Sequence, residues 1–533
     1  MKCAKASAVL MMAGAMLAAN VQAAQDTATR TLEKTLTMGA NQTFSLESKF
    51  GEVRIHGENG REAKIRATIR AQAGSRDEAN KDAEEIRVEV SQDASGIKVK
   101  TVYPESHLLL RIHNKSSYSV DYDIAMPADA KLWVRNGFGN LDVRGVQGWA
   151  DIENGHGQLT SRDSGSTKLV NSFGSVEVGG ATGNVWVVNN NGSVEVSTVK
   201  GALDVKDRFA SISVSNVDGQ VTISGGNGLV ELSDAGASTV SNSFGAVKAR
   251  NIHGDLTVNN NNGLIDVTTV EGSATLTGSF GTINFTNVSG SVKCTSSNGK
   301  VKGGPVGSDT YVKTTFGEVW LEQIGGTATV EDSNGNITAK EIRGKAEFNT
   351  SFGSIEASGL RKGVRATTGN GRISVNDAGG DAYIKTSFGA VNVQRVDGSL
   401  RVENSNGPVV ANSINGGASA KMSFGAVTLE DVAGGITVDN QNGAVTVSEA
   451  RTSGKCNAVT VKTSFAPIQV RISEGGGYSV SARTSFGRIN SELPITTSGQ
   501  LGGDSLNGKI GNGGCTLSLT NSNGNIEILK LAK

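Results

Sequence analysis

An excess of charge of either sign is absent from this sequence, as are the clusters of histidine and cysteine that most metal sites require. The 533 residues contain 51 Lys and Arg against 51 Asp and Glu. Balanced charge argues against nucleic acid or an anionic membrane surface as the main partner. No two histidines have metal-ligand spacing. We therefore expect no metal, no cofactor and no nucleic acid partner; the histidines are His56, His107, His113, His156 and His253.

Long apolar runs are missing outside the N-terminus. The segment from Met1 to Ala24 has two early lysines, an apolar run and then small residues, which is typical of a secretory signal peptide cleaved after Ala23. An uncleaved membrane anchor is the alternative. No later stretch approaches the ~20 apolar residues that a spanning helix needs. The sequence therefore predicts a signal peptide over residues 1–23 and an exported, soluble mature chain without a transmembrane segment.

Proline is rare, with 6 residues, whereas glycine is abundant, with 70. This composition is typical of a chain with many sharp corners, because Gly and Asn–Gly tolerate the positive φ that such corners demand. Phe–Gly pairs (Phe–Ala at Phe209) recur every 35 or 36 residues with Asn–Gly pairs midway, so the period is about 18 residues. The two series are Phe138, Phe173, Phe209, Phe244, Phe280, Phe316, Phe352, Phe388 and Phe424, and Asn191, Asn227, Asn262, Asn298, Asn334, Asn370, Asn406 and Asn442.

An uninterrupted apolar column follows these corners. From Leu141 to Val445, the residue two places after each corner glycine is Leu, Val or Ile. Period-two alternation of such residues predicts a strand with one buried face, and a second strand follows in each unit. One unit cannot bury its apolar face alone, whereas stacked units can. The sequence predicts an all-β fold: a parallel β-solenoid, right-handed as parallel crossovers prefer, with ~18-residue coils in a 36-residue double repeat and roughly 80 Å of regular rod.

The predicted domains are a signal peptide at 1–23, a β-rich cap at 24–136, the regular β-solenoid at 137–450 and irregular C-terminal coils at 451–533. The cap contains one predicted helix over 75–85, with Ser75 as its N-cap. A cap is expected because an open strand edge invites aggregation. In the last region the corners lose their period, and Ile526 to Leu531 is predicted as the last strand.

Three cysteines follow the predicted signal peptide. Aligning the repeats places Cys294 and Cys456 in the inward column of Val205, and Cys515 in that of Val199. All three are predicted to be small core residues. A disulfide between Cys456 and Cys515 is allowed in an exported protein. It is not expected, because the two residues should lie about three coils apart.

The export signal, the N-terminal module ending in YDIAMPADAKLWVRNGFGNLDV and the serial N-G-x-V/I-x-V coils together resemble the bacterial putative-adhesin family of β-strand repeats, a domain of unknown function. The likeness covers roughly Thr31 to the C-terminus. It implies an exported or surface β-solenoid. The matching residues are corners and core, so the resemblance supplies no catalytic residues.

A glycosidase needs a catalytic pair of carboxylates at a fixed separation in a cleft. The best local cluster is Glu318, Glu322, Glu331, Asp332 and Glu341. Repeat alignment places Glu322 beside Lys340, and opposite charges on neighbouring strands are ordinary surface stabilisation. We predict no catalytic residues, although a polysaccharide-degrading enzyme is the least favoured alternative.

The Phe column has two interpretations. The rings could form an exposed stripe for stacking on sugars, or they could pack between Asn side chains and fill the edge of the solenoid, which the regular spacing favours. Trp186 and Trp320 occupy outward strand positions and are candidate contact residues. The sequence predicts a non-enzymatic, exported adhesin or surface binding protein for carbohydrate or protein. The alternative is a periplasmic scaffold; the oligomeric state is left open.

Overall fold

The computed structural model describes residues 26–39, 41–103, 117–449, 456–473, 475–497 and 503–531. The predicted signal peptide, His107 and His113 lie outside these residues. The fold is nearly all β, with one helix and a β-solenoid of about 18 turns built from parallel stacked strands, as predicted. The chain divides into two compact units, one ending at Val146 and one beginning at Gln147.

The N-terminal unit combines two small sheets with one helix. Sheet A runs β1–β4–β7–β3–β9, antiparallel at first and then parallel, and sheet B runs β5–β6–β2–β8. The bounds are β1 (Asp26–Thr37), β2 (Thr43–Phe50), β3 (Val53–Glu58), β4 (Glu62–Ala73), α1 (Arg76–Glu85), β5 (Arg87–Asp93), β6 (Gly96–Val102), β7 (Ser117–Pro127), β8 (Lys131–Phe138) and β9 (Leu141–Arg144).

The helix confirms its predicted N-cap: the Ser75 side chain accepts a hydrogen bond from the Glu78 amide at 3.3 Å. Its buried Ala79 and Ala83 face β1 and β4. Side-chain hydrogen bonds link β1 to β5 and to the residue that precedes β5. Gln92 donates to the Thr37 carbonyl at 2.6 Å, and Arg30 donates to the Ile86 carbonyl. Polar side chains thus occupy strand edges that would otherwise invite pairing.

The second unit stacks one strand of each sheet per coil. Its sheet A strands, in stacking order, are β11 (Leu159–Arg162), β13 (Val176–Ala181), β15 (Val194–Val199), β17 (Ile212–Val217), β19 (Val230–Ala235), β21 (Val247–Ile252), β23 (Ile265–Val270), β25 (Ile283–Val288), β27 (Val301–Gly303), β29 (Val319–Ile324), β31 (Ile337–Ile342), β33 (Ile355–Leu360), β35 (Ile373–Ala378), β37 (Val391–Val396), β39 (Val409–Ile414), β41 (Val427–Val432), β43 (Val445–Glu449), β45 (Ile468–Ile472), β51 (Ile526–Lys530) and β47 (Ile489–Ser491).

Sheet B of this unit is equally regular. Its strands are β10 (Ala150–His156), β12 (Thr167–Phe173), β14 (Val185–Asn191), β16 (Leu203–Asp207), β18 (Val221–Gly225), β20 (Ser238–Phe244), β22 (Leu256–Asn262), β24 (Ala274–Phe280), β26 (Val292–Asn298), β28 (Thr310–Lys313), β30 (Ala328–Glu331), β32 (Ala346–Phe352), β34 (Val364–Asn370), β36 (Ala382–Phe388), β38 (Leu400–Asn406), β40 (Ala418–Phe424), β42 (Ile436–Asn442), β44 (Val459–Phe465), β50 (Cys515–Asn523) and β46 (Tyr478–Phe486), with β49 (Ser505–Ile510) and β48 (Thr496–Thr497) antiparallel at the end.

The predicted core column is confirmed. Every member from Leu141 to Val445 is at most 1% exposed. The corner glycines are required by the stacking distance. At Gly192, where φ is 124°, a Cβ atom would lie 2.3 Å from the carbonyl oxygen of Gly174 in the preceding coil.

A column of left-handed residues ends the sheet A strands, and period-two alternation did not predict it. In β15 the inward residues are Val194, Val196 and then Val199, because Thr198 adopts a φ of 57° and shifts the alternation by one position. The same conformation recurs in other coils. We call these the bend residues: Asp163, Gly180, Thr198, Asn216, Asp234, Asn251, Thr269, Asn287, Gln323, Glu341, Gly359, Asp377, Arg395, Ser413 and Asp431.

The prediction that Cys456 and Cys515 lie too far apart for a bond is wrong. The two form a disulfide, with their Cα atoms 5.8 Å apart. The last coil does not stack in chain order: β50 lies between β44 and β46, and β51 lies between β45 and β47. This insertion places the start of β50 beside the residues that precede β44. The predicted last strand is therefore β51, but it lies inside the sheet.

Candidate binding surfaces

The Phe series forms one exposed edge of the second unit. Its rings are from 49% exposed at Phe173 to 76% at Phe486. Phe and Asn alternate in register, as between Phe388 and Asn406. Each Phe lies between the Asn corners of the neighbouring coils, as in the packing interpretation, but about half of its surface also faces solvent. Successive rings are two coils apart, about 9.6 Å at the strand spacing. We call this surface the Phe edge: Phe173, Phe209, Phe244, Phe280, Phe316, Phe352, Phe388, Phe424, Phe465 and Phe486, with the intervening Asn191, Asn227, Asn262, Asn298, Asn334, Asn370, Asn406, Asn442 and Asn523.

A buried polar column holds the Phe edge in place. It consists of the residues two positions before the corner Phe or Asn, which are polar in all coils except those of Gly225, Gly278 and Met422. The Asn440 side-chain amide donates to the carbonyls of Gly425 and Gly443, at 2.9 and 3.1 Å, and so ties two consecutive corners together. Thr368 donates likewise to the Gly353 carbonyl at 3.0 Å. The sequence signal that could have found this column is the recurring Asn or Thr at a fixed distance before each corner.

Two members of this column, Asp207 and Asp332, are carboxylates. They are 3% and 8% exposed, respectively. Burial raises the pKa of each to about 6, although backbone amides donate to both and partly oppose the shift. Both side chains lie beneath the corners of the Phe edge, so their role is structural.

The exposed part of the Phe edge is nearly uncharged. From Asn171 to Ala444, the residues within two positions of each corner Phe or Asn are mostly Ser, Thr, Asn, Gly or Ala. The exposed charges there are Arg208, Arg372 and the pair Lys300–Glu318, whose side chains lie 2.7 Å apart. The edge thus combines apolar ring faces with uncharged hydrogen-bonding groups.

The two tryptophans predicted as contact residues lie on different sheets. Trp186, on β14 in sheet B, is 36% exposed and contacts Trp149 edge to face, with ring centroids 5.5 Å apart. Trp320, on β29 in sheet A, is 37% exposed, and the Lys340 ammonium lies 4.8 Å from its ring centroid. Both point outward as predicted, but they do not belong to one site.

The carboxylate cluster is divided among ion pairs. Besides the Lys300–Glu318 pair, Glu331 lies 3.6 Å from Lys313, and Glu322 is in register with Lys340. Two of the described histidines have different partners and lie on different coils. His156 stacks on Phe173, and His253 contacts Glu271 at 3.0 Å. Within the described ranges, no group of three or more His, Cys, Asp or Glu could hold a metal ion. The helix found there is too short or too polar to cross a membrane.

One groove of about 1350 Å³ runs along the corners at the other edge of the coils. It follows nine consecutive coils, from Thr269 to Asn415, over a length of roughly 40 Å at the strand spacing. Its lining residues include bend residues such as Glu341 and buried apolar residues such as Val306 and Leu360. The groove runs along the stack, across the strands.

The charged residues that line the groove lie on four consecutive coils, from Glu341 to Asp397, and comprise three arginines and three carboxylates. Arg343 and Arg361 lie there on adjacent coils, and Glu341 also lines it. Farther along, Asp377 accepts hydrogen bonds from Arg395, which lower the pKa of that carboxyl. Asp397 accepts from the Asn415 amide at 3.0 Å. The groove is not predictable from the apolar pattern of the sequence, because it depends on the bend residues.

Comparison with known proteins leaves the family open. No known protein family matches this chain, and no curated protein matches it. Among solved structures, the chain is similar to a putative cell adhesion protein from Clostridium sporogenes, with 10% identity and a TM-score of 0.21, over 38% of this chain and 98% of that one. A similarity at this level supports no statement about activity.

Proposed function

We propose that this protein is an exported, non-enzymatic adhesin whose Phe edge binds a neutral polysaccharide. The observation that carries the proposal is the periodic edge itself, in which half-exposed rings alternate with amide side chains coil after coil. Ring faces suit the apolar faces of sugars, while amides and hydroxyls suit sugar hydroxyl groups.

The repeat of the edge favours a ligand that is itself periodic. From Phe173 to Phe465 the edge extends over roughly 75 Å, with equivalent groups about 9.6 Å apart. This step is comparable with a disaccharide unit in an extended chain. A globular protein partner without such a repeat could not engage many rings at once. The scarcity of charge favours a neutral polymer.

The test is binding to a panel of neutral polysaccharides: cellulose, xylan, mannan, chitin and dextran. We expect saturable binding to at least one, with affinity rising with chain length, because each added unit reaches another ring. Replacing Phe316, Phe352 and Phe388 together by Ala should weaken it at least tenfold, if each ring contributes about 1 kcal/mol.

The matched control replaces Trp320 and Val410 by Ala. These side chains are 37% and 46% exposed but lie on the outer face of sheet A. The control should bind as the unaltered protein does. Equal loss in both variants, or no saturable binding to any polymer of the panel, would reject the proposal.

Export is the second part of the proposal. Besides the N-terminal signal, it is supported by the Cys456–Cys515 disulfide, since disulfides persist in oxidising compartments. Protease treatment of intact cells, followed by mass spectrometry, should release peptides from the second unit while a periplasmic control protein stays intact. Protection in intact cells with digestion after permeabilisation would place the protein in the periplasm and exclude direct adhesion.

A further inference from the structure

We propose that the groove is a second binding site, for an extended acidic polysaccharide whose carboxylates contact Arg343 and Arg361. The site is separate from the Phe edge, because it lies at the other corner of each coil. The proposal does not depend on the neutral polysaccharide.

Arg343 and Arg361 are the positively charged groups that a carboxylate would contact in the groove. They are exposed and occupy equivalent positions on adjacent coils, about 4.8 Å apart along the stack. Neither side chain takes part in an ion pair among the residues that the structure describes. Lys345 and Lys362 are exposed at the same two corners. A guanidinium binds a carboxylate through two parallel hydrogen bonds, so this pair suits successive carboxylates on a chain.

The shape of the groove identifies an extended ligand. At the corner positions equivalent to these arginines, the flanking coils have Gly325 and Gly379, so no side chain closes the groove on either side. A chain entering along the stack therefore reaches both arginines. A coil step is close to the length of one sugar residue in an extended chain.

The backbone of the groove argues against a peptide ligand. Its amides are already used between coils: Arg343 donates to the Ile324 carbonyl and Arg361 to the Ile342 carbonyl, both at 2.9 Å. Gly379 donates to the Leu360 carbonyl at 2.8 Å. These corner amides are therefore not available to pair with the main-chain carbonyls of a peptide. A polysaccharide has no amide backbone that must be satisfied.

Removing a negative charge from the groove should change the affinity for an acidic ligand in the opposite direction to removing an arginine. Asp377 and Asp397 have partners, whereas Glu341 has neither an ion pair nor a side-chain hydrogen bond among the described contacts. Glu341 should repel an acidic ligand held by the neighbouring arginines. Neutralising it should therefore strengthen binding.

The experiment measures binding of the full protein to polygalacturonate by calorimetry at low and high salt. We expect salt-sensitive binding that the double variant Arg343→Gln/Arg361→Gln weakens at least tenfold and that Glu341→Gln strengthens several-fold. The matched control Arg250→Gln/Arg483→Gln removes the same charge from exposed residues outside the groove. It should leave the affinity within a factor of two.

Three outcomes overturn the proposal. They are no binding to polygalacturonate, equal weakening in the groove and control variants, and equal or tighter binding of poly-L-glutamate, which would identify a peptide site. Thermal melting of each variant shows whether a loss of binding reflects a loss of folding. The Phe316, Phe352 and Phe388 variant should bind polygalacturonate normally, so failure of this site is distinguishable from failure of the Phe edge.

Discussion

Asp207 and Asp332 stand in a buried column that elsewhere contains mostly Asn, Ser or Thr. Burial raises the pKa of each from 3.8 to about 6, so the folded state binds a proton more tightly than the unfolded state does. Above pH 6 both states are ionised, and the folded state bears the cost of burying the charge. Stability from these groups therefore rises as the pH falls from 7 towards 4.

We predict that Asp207→Asn and Asp332→Asn each stabilise the protein at pH 8, by about 1 to 3 kcal/mol, since a pKa shift of one unit corresponds to about 1.4 kcal/mol. The new amide can also donate to a corner carbonyl, as Asn440 does. Thermal melting at pH 8 and pH 4.5 measures the effect, which should shrink at the lower pH. The exposed Asp218→Asn is the control and should change little. A gain that is equal at both pH values would contradict the titration argument.

The bend residues supply a second prediction for single side chains. Thr198 holds a φ of 57°, which is unfavourable for a β-branched residue. Asn216, at the equivalent position of the next coil, holds a φ of 54°. Thr198→Asn should therefore raise the free energy of unfolding by about 1 kcal/mol, as measured by urea denaturation. Thr222→Asn, on the outer face of β18, should instead be neutral or destabilising, because Asn is a poor strand residue.

Individual strands were largely predictable, since one inward column of Val, Ile and Leu specifies both the strand and its buried face. The bend residues were not predictable. A one-position shift between inward and outward residues at the bend leaves the apolar columns on both sides of it unchanged in the sequence. The exposure of Phe352 and its equivalents was not predictable either. A buried ring and an exposed ring give the same 36-residue period, and only the packing beneath the corner distinguishes them.

In the C-terminal region, the repeat pattern of the sequence does not predict which strands pair. Repeat alignment assumes that each coil stacks on the one before it, but β50 and β51 insert between earlier coils. The corners in this region have no common period, so several stacking orders satisfy the same apolar columns. The disulfide of Cys456 with Cys515 fixes one of them.

We predict that Cys456→Ser and Cys515→Ser each lower the free energy of unfolding of the C-terminal coils by about 2 to 4 kcal/mol, because the disulfide restricts the unfolded chain. Limited proteolysis should then cleave within residues 475–531 while the coils before β44 stay protected. The control is Cys294→Ala, whose thiol is free and fully buried. It should leave this cleavage unchanged, and resistance of the serine variants to proteolysis would contradict the prediction.

Thiol labelling distinguishes the same cysteines without mutation. Burial raises the pKa of Cys294 to about 12, so its thiolate is scarce, and its sulfur is shielded from reagents. Iodoacetamide should therefore leave Cys294 unmodified in the folded protein. After mild reduction it should label Cys456 and Cys515, as read by peptide mass spectrometry. Labelling of Cys294 before unfolding would show that the core is open there.

At the scale of the whole second unit, coils contact only their neighbours, so stability should be nearly a sum over coils. Deleting residues 192–227 removes one 36-residue double repeat and joins Asn191 to Gly228, which preserves both the corner and the Phe–Asn alternation. We expect this variant to fold, with a small change in melting temperature. Because the groove begins at Thr269, polygalacturonate affinity should also be unchanged.

The matched deletion removes residues 192–218, which is one and a half coils. It joins a corner to the start of a sheet B strand, so every later strand would have to occupy the wrong sheet. We expect insoluble or unfolded protein, as judged by circular dichroism and the absence of a cooperative melt. If both deletions fold equally well, the coil is not the unit of stacking. If neither folds, the stack depends on contacts beyond neighbouring coils.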